Sequence, residues 1–288
     1  MNTYLNVENA TFSHTQTDFF VDFNWTVKKG ENWIITGPVG SGKTSLIRGL
    51  AGHYFLKEGS LTYPYLAAQY PEITSSYTLK KKCIKVVSFK DDSRAFNPQS
   101  MFYSQRYNSF SADGTLTVWE YLMEQGFSEY EKEHVALLKR TGIFELLDVE
   151  RIKLSSGQSR KLLITSAILQ KPQLLMIDNP YMGLDAKSRQ EFNDLLDNLV
   201  ENEGIQLILA GQFEVLPKCI GHELALKREE VDYCGVLRSA ADKNYESPKS
   251  LEKYLDTSYF GPLSPLELMW AKRDLDWDTK DNLIEEIK

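Results

Sequence analysis

The sequence is poor in cysteine, in uninterrupted apolar runs and in net positive charge, and each shortage closes off a class of protein. Three cysteines among 288 residues, Cys83, Cys219 and Cys234, share no metal-binding or redox spacing. Neither a disulfide scaffold nor a zinc module is therefore encoded, and the three read as buried or incidental thiols of a reducing compartment. No apolar stretch approaches the ~18 residues that cross a bilayer. The N-terminal MNTYLNVENATF also lacks the charged-then-apolar layout of an export signal. These absences lead to the expectation of a cytoplasmic protein that does not insert into a membrane and reaches one only through a partner. The formal charge is −7, from 33 Lys and Arg against 40 Asp and Glu. That sign is wrong for a chain that works on phosphate backbones, so no nucleic-acid partner is expected. Lys80, Lys81, Lys82 and Lys85 form a local basic run, which reads as a solvated face.

What is present is more specific. Asn32-Trp33-Ile34-Ile35-Thr36 is a short apolar strand pattern, followed at once by Gly37-Pro38-Val39-Gly40-Ser41-Gly42-Lys43-Thr44 and then Ser45. This fits G-x-x-x-x-G-K-[ST] without mismatch. Leu46, Ile47 and Leu50 continue at helical spacing, and Gly52 offers a stop. Glycines at these places let the backbone turn its N–H groups inward on phosphate oxygens, and the following helix adds its positive end. In such a loop the lysine, here Lys43, reaches the β- and γ-phosphates, and the hydroxyl of Thr44 is a ligand for Mg²⁺. ATP and Mg²⁺ are the expected cofactors.

A second constellation sets the kind of phosphate-binding protein. Leu154-Ser155-Ser156-Gly157-Gln158 opens a helical stretch that Pro172 closes, and Leu174-Leu175-Met176-Ile177 then leads to Asp178. Here the chain resembles the ATP-binding cassette family, over about Tyr4 to Leu226. The local physics agrees. A serine caps the helix, and the apolar run reads as a central parallel strand buried on both faces. Asp178 then emerges at its C-terminal end, where it would hold Mg²⁺. Asn179-Pro180-Tyr181-Met182-Gly183-Leu184-Asp185 resembles the family's D-loop, with Asp185 placed to cap the next helix. The resemblance implies an α/β fold, a P-loop NTPase with a RecA-like core. An antiparallel β region at the N-terminus and a helical subdomain over about 116–154 would complete it.

It further implies that two cassettes close around nucleotide, so that Ser156, Gly157 and Gln158 serve the γ-phosphate bound by the partner cassette. That partner is a second copy or a different chain, and a membrane permease is the implied client. The alternative client is a soluble assembly that uses the cassette as a switch. Phe12 stands where the family places an aromatic that stacks on adenine, although core packing explains an aromatic there equally. The Q-loop glutamine, which senses the γ-phosphate and Mg²⁺, is matched by Gln105, with Gln99 competing. The long segment before it vaguely resembles cassettes of molybdate-type transport.

Two departures bear on catalysis. Asn179 stands where a hydrolysis-competent cassette has glutamate, and an amide cannot accept a proton at neutral pH. Gln212 stands where the family has a histidine that contacts the γ-phosphate. Lys43, Asp178, Asn179 and Gln212 are thus the expected catalytic set of an ATPase that binds ATP well and hydrolyses it slowly. The other reading is that positioning alone sustains useful turnover. The cassette is expected over 1–230, with 231–288 a mostly helical C-terminal extension that carries no second P-loop.

Overall fold

The apolar residues of the central strands separate by parity into two cores, one on each side of a single sheet. The computed structural model describes residues 2–15, 17–89, 116–129, 131–182 and 184–238. Gln99, Gln105, Gly183 and most of the expected C-terminal extension lie outside the described residues.

Strands β1 (Thr3–His14), β2 (Thr17–Lys28) and β4 (Phe55–Thr62) form an antiparallel sheet in the order β2-β1-β4. The second sheet holds β3 (Trp33–Thr36), β5 (Ile84–Ser88), β6 (Leu174–Asp178), β7 (Gln206–Ala210), β8 (His222–Lys227) and β9 (Glu230–Val236), in the order β5-β6-β7-β3-β8-β9. All its pairings are parallel except β8 with β9. Every residue of β6 and β7 is buried, as two-sided coverage of a parallel sheet requires.

Successive side chains of a strand point to opposite faces. Trp33 and Ile35, Leu174 and Met176, and Ile208 and Ala210 therefore join the antiparallel sheet in one core. Ile34, Leu175, Ile177, Leu207 and Leu209 face the other way, into the helical layer.

Seven α-helices are described: α1 (Lys43–Leu50), α2 (Pro64–Gln69), α3 (Ser76–Cys83), α4 (Val118–Glu124), α5 (Lys132–Thr141), α6 (Ser156–Leu169) and α7 (Ala186–Glu203). The helical region after residue 116 starts on a capping box in which Thr117 and Glu120 satisfy each other's backbone N–H. It continues through α5 and two short 3-10 turns into α6. Asp185 caps α7 by accepting from the Ser188 N–H. Residues 231–236, the start of the expected C-terminal extension, complete β9. They pair with β8 from Glu230 opposite Lys227 to Val236 opposite His222. The unpaired edge of β8, with Leu224, Ala225 and Leu226 buried, takes up these residues as a strand.

Helix α1 is held at its far end by a side chain from outside it. The buried Tyr63 hydroxyl donates to the Leu50 carbonyl at 2.7 Å, which satisfies a helix-terminal acceptor, and burial pushes the phenol well above its ordinary pKa. Tyr63→Phe strands that carbonyl and should lower stability by about 1–2 kcal/mol. The check is a drop in the urea midpoint with the slope unchanged.

Candidate functional site

Strand β3 delivers the glycine-rich loop to the C-terminal edge of the parallel sheet, where open α/β sheets bind ligands. Thr36 ends the strand and donates its hydroxyl to the buried Glu223 carboxylate at 2.8 Å. Beyond it Pro38, Val39 and Gly40 stand exposed, whereas Ser41 is buried. Gly37, Gly40 and Gly42 have φ of 142°, 82° and 91°, in the region that favours glycine. The first of these is also crowded: a Cβ on Gly37 would lie 2.3 Å from the Leu226 carbonyl oxygen. Helix α1 then begins with no side-chain cap and no acidic residue in its first turn. Its N-terminal N–H groups are therefore open to an anion, and Ser45 lies in that turn.

The Lys43 ammonium is turned into the loop. It donates to the carbonyls of Gly37 and Pro38 at 2.8 and 2.7 Å and to the Ser41 hydroxyl at 3.3 Å. Burial lowers its pKa and the nearby Asp178 carboxylate opposes that shift. This is a cation held over a glycine cradle by weak neutral acceptors, which phosphate oxygens would replace with stronger charged ones.

Residues 134 positions apart meet at the other wall. The Thr44 hydroxyl donates to Asp178 at 2.8 Å, which puts together the two groups expected to hold Mg²⁺, a hydroxyl and a carboxylate of the kind that ion takes. Asn179 follows with φ of 53°, a left-handed position that asparagine tolerates better than most residues. Its amide donates to the other Asp178 oxygen at 2.9 Å, and its N–H to the Ala210 carbonyl at 2.8 Å. At the end of β7, a Cβ on Gly211 would come within 3.6 Å of Asn179. The exposed Gln212 follows directly, so the structure brings Lys43, Thr44, Asp178 and Asn179 together with the segment carrying Gln212. Gln105, expected as a γ-phosphate and metal contact, lies outside the described residues.

Phe12 corrects an expectation. It is fully buried, packed so closely over α1 that a Cβ on Gly49 would sit 2.8 Å from its ring. It has no face free for a base and is a core residue. The exposed ring of the same strand is His14, whose imidazole lies 4.5 Å from Tyr54.

At the signature segment, Ser155 and Gln158 form a reciprocal capping box, so the Gln158 side chain is engaged within its own chain. Ser156 is exposed and Gly157 part-exposed in the first turn of α6. A Cβ on Gly157 would meet nothing nearer than 3.9 Å.

Sequence reasoning missed the side chains that fix the residues after Asp178. Buried Arg160 of α6 donates to the Met182 carbonyl, with its guanidinium 5.0 Å from the Phe89 ring centroid. Tyr181 donates to Asn193, and Arg189 joins the Leu184 carbonyl to the Glu214 carboxylate. An arginine two residues past the signature gave no motif, because its partner is a backbone carbonyl.

A parallel sheet with a glycine cradle, an inward lysine, a hydroxyl and an aspartate at its C-terminal edge defines a P-loop nucleotide-binding protein. A family model described as ABC transporter matches residues 20–182, more than half of the chain, and the chain belongs to that family. It is 26% identical over 298 residues to an uncharacterized ABC transporter ATP-binding protein of Schizosaccharomyces pombe, covering 98% of this chain and 59% of that one. An uncharacterized ABC transporter ATP-binding protein of Bacillus subtilis, YlmA, is 26% identical over 92% of this chain and 93% of its own length. Among solved structures, cbiO1 from Clostridium perfringens, part of the ABC transporter complex cbiONQ, shares the fold. Its TM-score is 0.64 at 22% identity, over 82% of this chain and 89% of that one. Among the described residues no helix is long and apolar enough to cross a membrane.

The crowding at Gly37 makes a prediction. Gly37→Ala should cost more than about 2 kcal/mol, since strain and a backbone clash act together. Gly40→Ala, with open space around it, should pay only the left-handed penalty of about 1–2 kcal/mol. Parallel urea titrations compare the two.

Proposed function

We propose that this chain is the nucleotide-binding subunit of a transporter: it binds Mg-ATP at the P-loop, closes on a second cassette, and hydrolyses ATP slowly. The observation that carries this is the bond between Thr44 and Asp178 beside an asparagine. When bound, Mg²⁺ supplies charge neutralisation between the phosphates. The chain's own residues do the rest. Lys43 exchanges its loop carbonyls for phosphate oxygens, and the open N-terminal N–H groups of α1 orient them. Asn179 can orient a water through its amide but takes no proton from it. Catalysis is then left to positioning and to Lys43, and that is the reason for slow turnover.

The cassette-to-cassette reading is supported by Gly157. A helical glycine costs about 0.5–1 kcal/mol relative to alanine, and nothing among the described residues requires one there. Close approach of a ligand held by another chain supplies the reason. In this reading the protein is cytoplasmic, at the membrane only through a permease, and its partner cassette is a second copy or a homologue.

Steady-state Mg-ATPase activity of wild type beside Asn179→Glu, Asn179→Asp and Lys43→Ala tests the catalytic part. Asp is included because it adopts the left-handed region more readily than Glu. Wild type near the Lys43→Ala background, with a carboxylate variant at least ~10-fold faster, is the expected result. An ordinary wild-type rate lost only in Lys43→Ala would show that Asn179 is no handicap.

The closing part is tested by Gly157→Ala. Its stability should be unchanged or raised by up to about 1 kcal/mol, while dimerisation driven by ATP, read by light scattering, is lost. Dimerisation that survives the substitution removes Gly157 from the interface.

A further inference from the structure

The turn joining β8 to β9 is made of two residues, Arg228 and Glu229, between the paired Lys227 and Glu230. Both have positive φ, 51° and 67°, as a two-residue hairpin turn demands. Such turns favour Asn and Gly, which take this conformation cheaply, yet here an arginine and a glutamate bear its cost. A strained backbone kept against an easy alternative points to function.

What the strained turn touches is the P-loop. The Glu229 N–H donates to the Ser41 carbonyl at 3.3 Å. Its side-chain Cγ lies 3.2 Å from where a Cβ on Gly42 would be, and the Phe20 ring comes within 2.7 Å of the same point. Gly42 is thus clasped between an aromatic ring and an acidic side chain whose residue is exposed to solvent.

The strand order says which part of a nucleotide this clasp meets. The P-loop leaves β3, which lies between β7 and β8. Asp178 and Asn179 end β6, beyond β7, and Lys43 interacts with Asp178. The terminal phosphates therefore belong on the β6–β7 side, which leaves the β8–β9 side, where Glu229 stands, for the sugar. A carboxylate repels phosphate but accepts from two vicinal hydroxyls at once, the contact by which acidic residues recognise ribose elsewhere.

We propose that Glu229 is a specificity residue that reads the ribose of the bound nucleotide, its carboxylate accepting hydrogen bonds from the 2′- and 3′-hydroxyls. This rests on the nucleotide-binding reading of the P-loop. The Glu229 backbone is what aims the carboxylate, and the bond to Ser41 registers it against the loop.

The experiment measures Mg²⁺-dependent binding of ATP, 2′-deoxy-ATP and 3′-deoxy-ATP by calorimetry, using the full chain and its Glu229→Gly and Glu229→Gln variants. Wild type should prefer ATP by about fivefold over at least one deoxy analogue. Glu229→Gly relieves the positive φ and so folds at least as well. It should bind ATP no better than wild type binds that analogue, while its affinity for the analogue itself stays put. Glu229→Gln keeps one acceptor oxygen and should retain part of the preference. Equal binding of all three nucleotides by wild type overturns the proposal, as does a preference that survives in Glu229→Gly. A side chain that merely shapes the loop would change all three affinities alike, which also counts against it. Absence of any ATP binding would instead bring down the nucleotide-binding reading, and Glu229's role with it. ATP binding without sugar discrimination sinks only the role of Glu229.

Discussion

The hydrogen bond from Thr44 to Asp178 joins two motifs that lie 134 residues apart, and the rest of the site is arranged around it. Each end is fixed by burial rather than by the bond itself. Thr44 lies in the first turn of a helix whose Leu46, Ile47 and Leu50 are sealed into the core. Asp178 ends a strand with no exposed residue. Because β7 sits between β6 and β3 and pairs in parallel with both, the strand ends are held level. The bond then forms between groups that the sheet has already brought into range. A hydroxyl and a carboxylate bonded in this way are preorganised for a cation, which is cheaper than assembling them at the moment of binding.

The same constraint explains why the residues around the site are so heavily tied. Asn179 to Met182 and Leu184 are connecting chain, and connecting chain is ordinarily mobile. Here it is pinned from three directions: Arg160 on α6, Arg189 and Asn193 on α7, and the Ala210 carbonyl at the end of β7. The Arg160 interaction links the helix that opens with the signature to the chain that follows the aspartate. The guanidinium is buried, and a buried charge is costly to leave without a partner. On the opposite wall Leu226 and Glu229 close on the P-loop glycines. The loop is thereby held at Gly37 and Gly42, while Gly40 between them stays open.

Much of this was legible in the chain. The spacing Gly37, Gly42, Lys43, Thr44 after a strand pattern has one physical use, and a continuously apolar run before Asp178 admits one place in a parallel sheet. Capping was equally readable, since Ser155 with Gln158 and Asp185 before α7 are local arrangements of neighbouring residues. The reading failed where the partner was remote. Phe12 offered the same ring to either adenine or core, and only the approach of Gly49 on α1 decided for the core. Residues 231–236, at the start of the expected C-terminal extension, are strand, and there the partner is local, the edge of β8 across a two-residue turn.

The sequence by itself determined the phosphate cradle, the strands that lead into it and into Asp178, and the chemistry of each motif, because these rest on residue type and on spacing within one turn or one strand. The order of the strands in the sheet came from the tertiary structure. Only the tertiary structure decided which side of the cradle faces Asp178 and which faces Glu229. It alone showed that Arg160 holds a carbonyl and that Gly157 has room for a methyl group. Those properties are distances between segments far apart in the chain. Packing sets such distances, and no local pattern of residues records them.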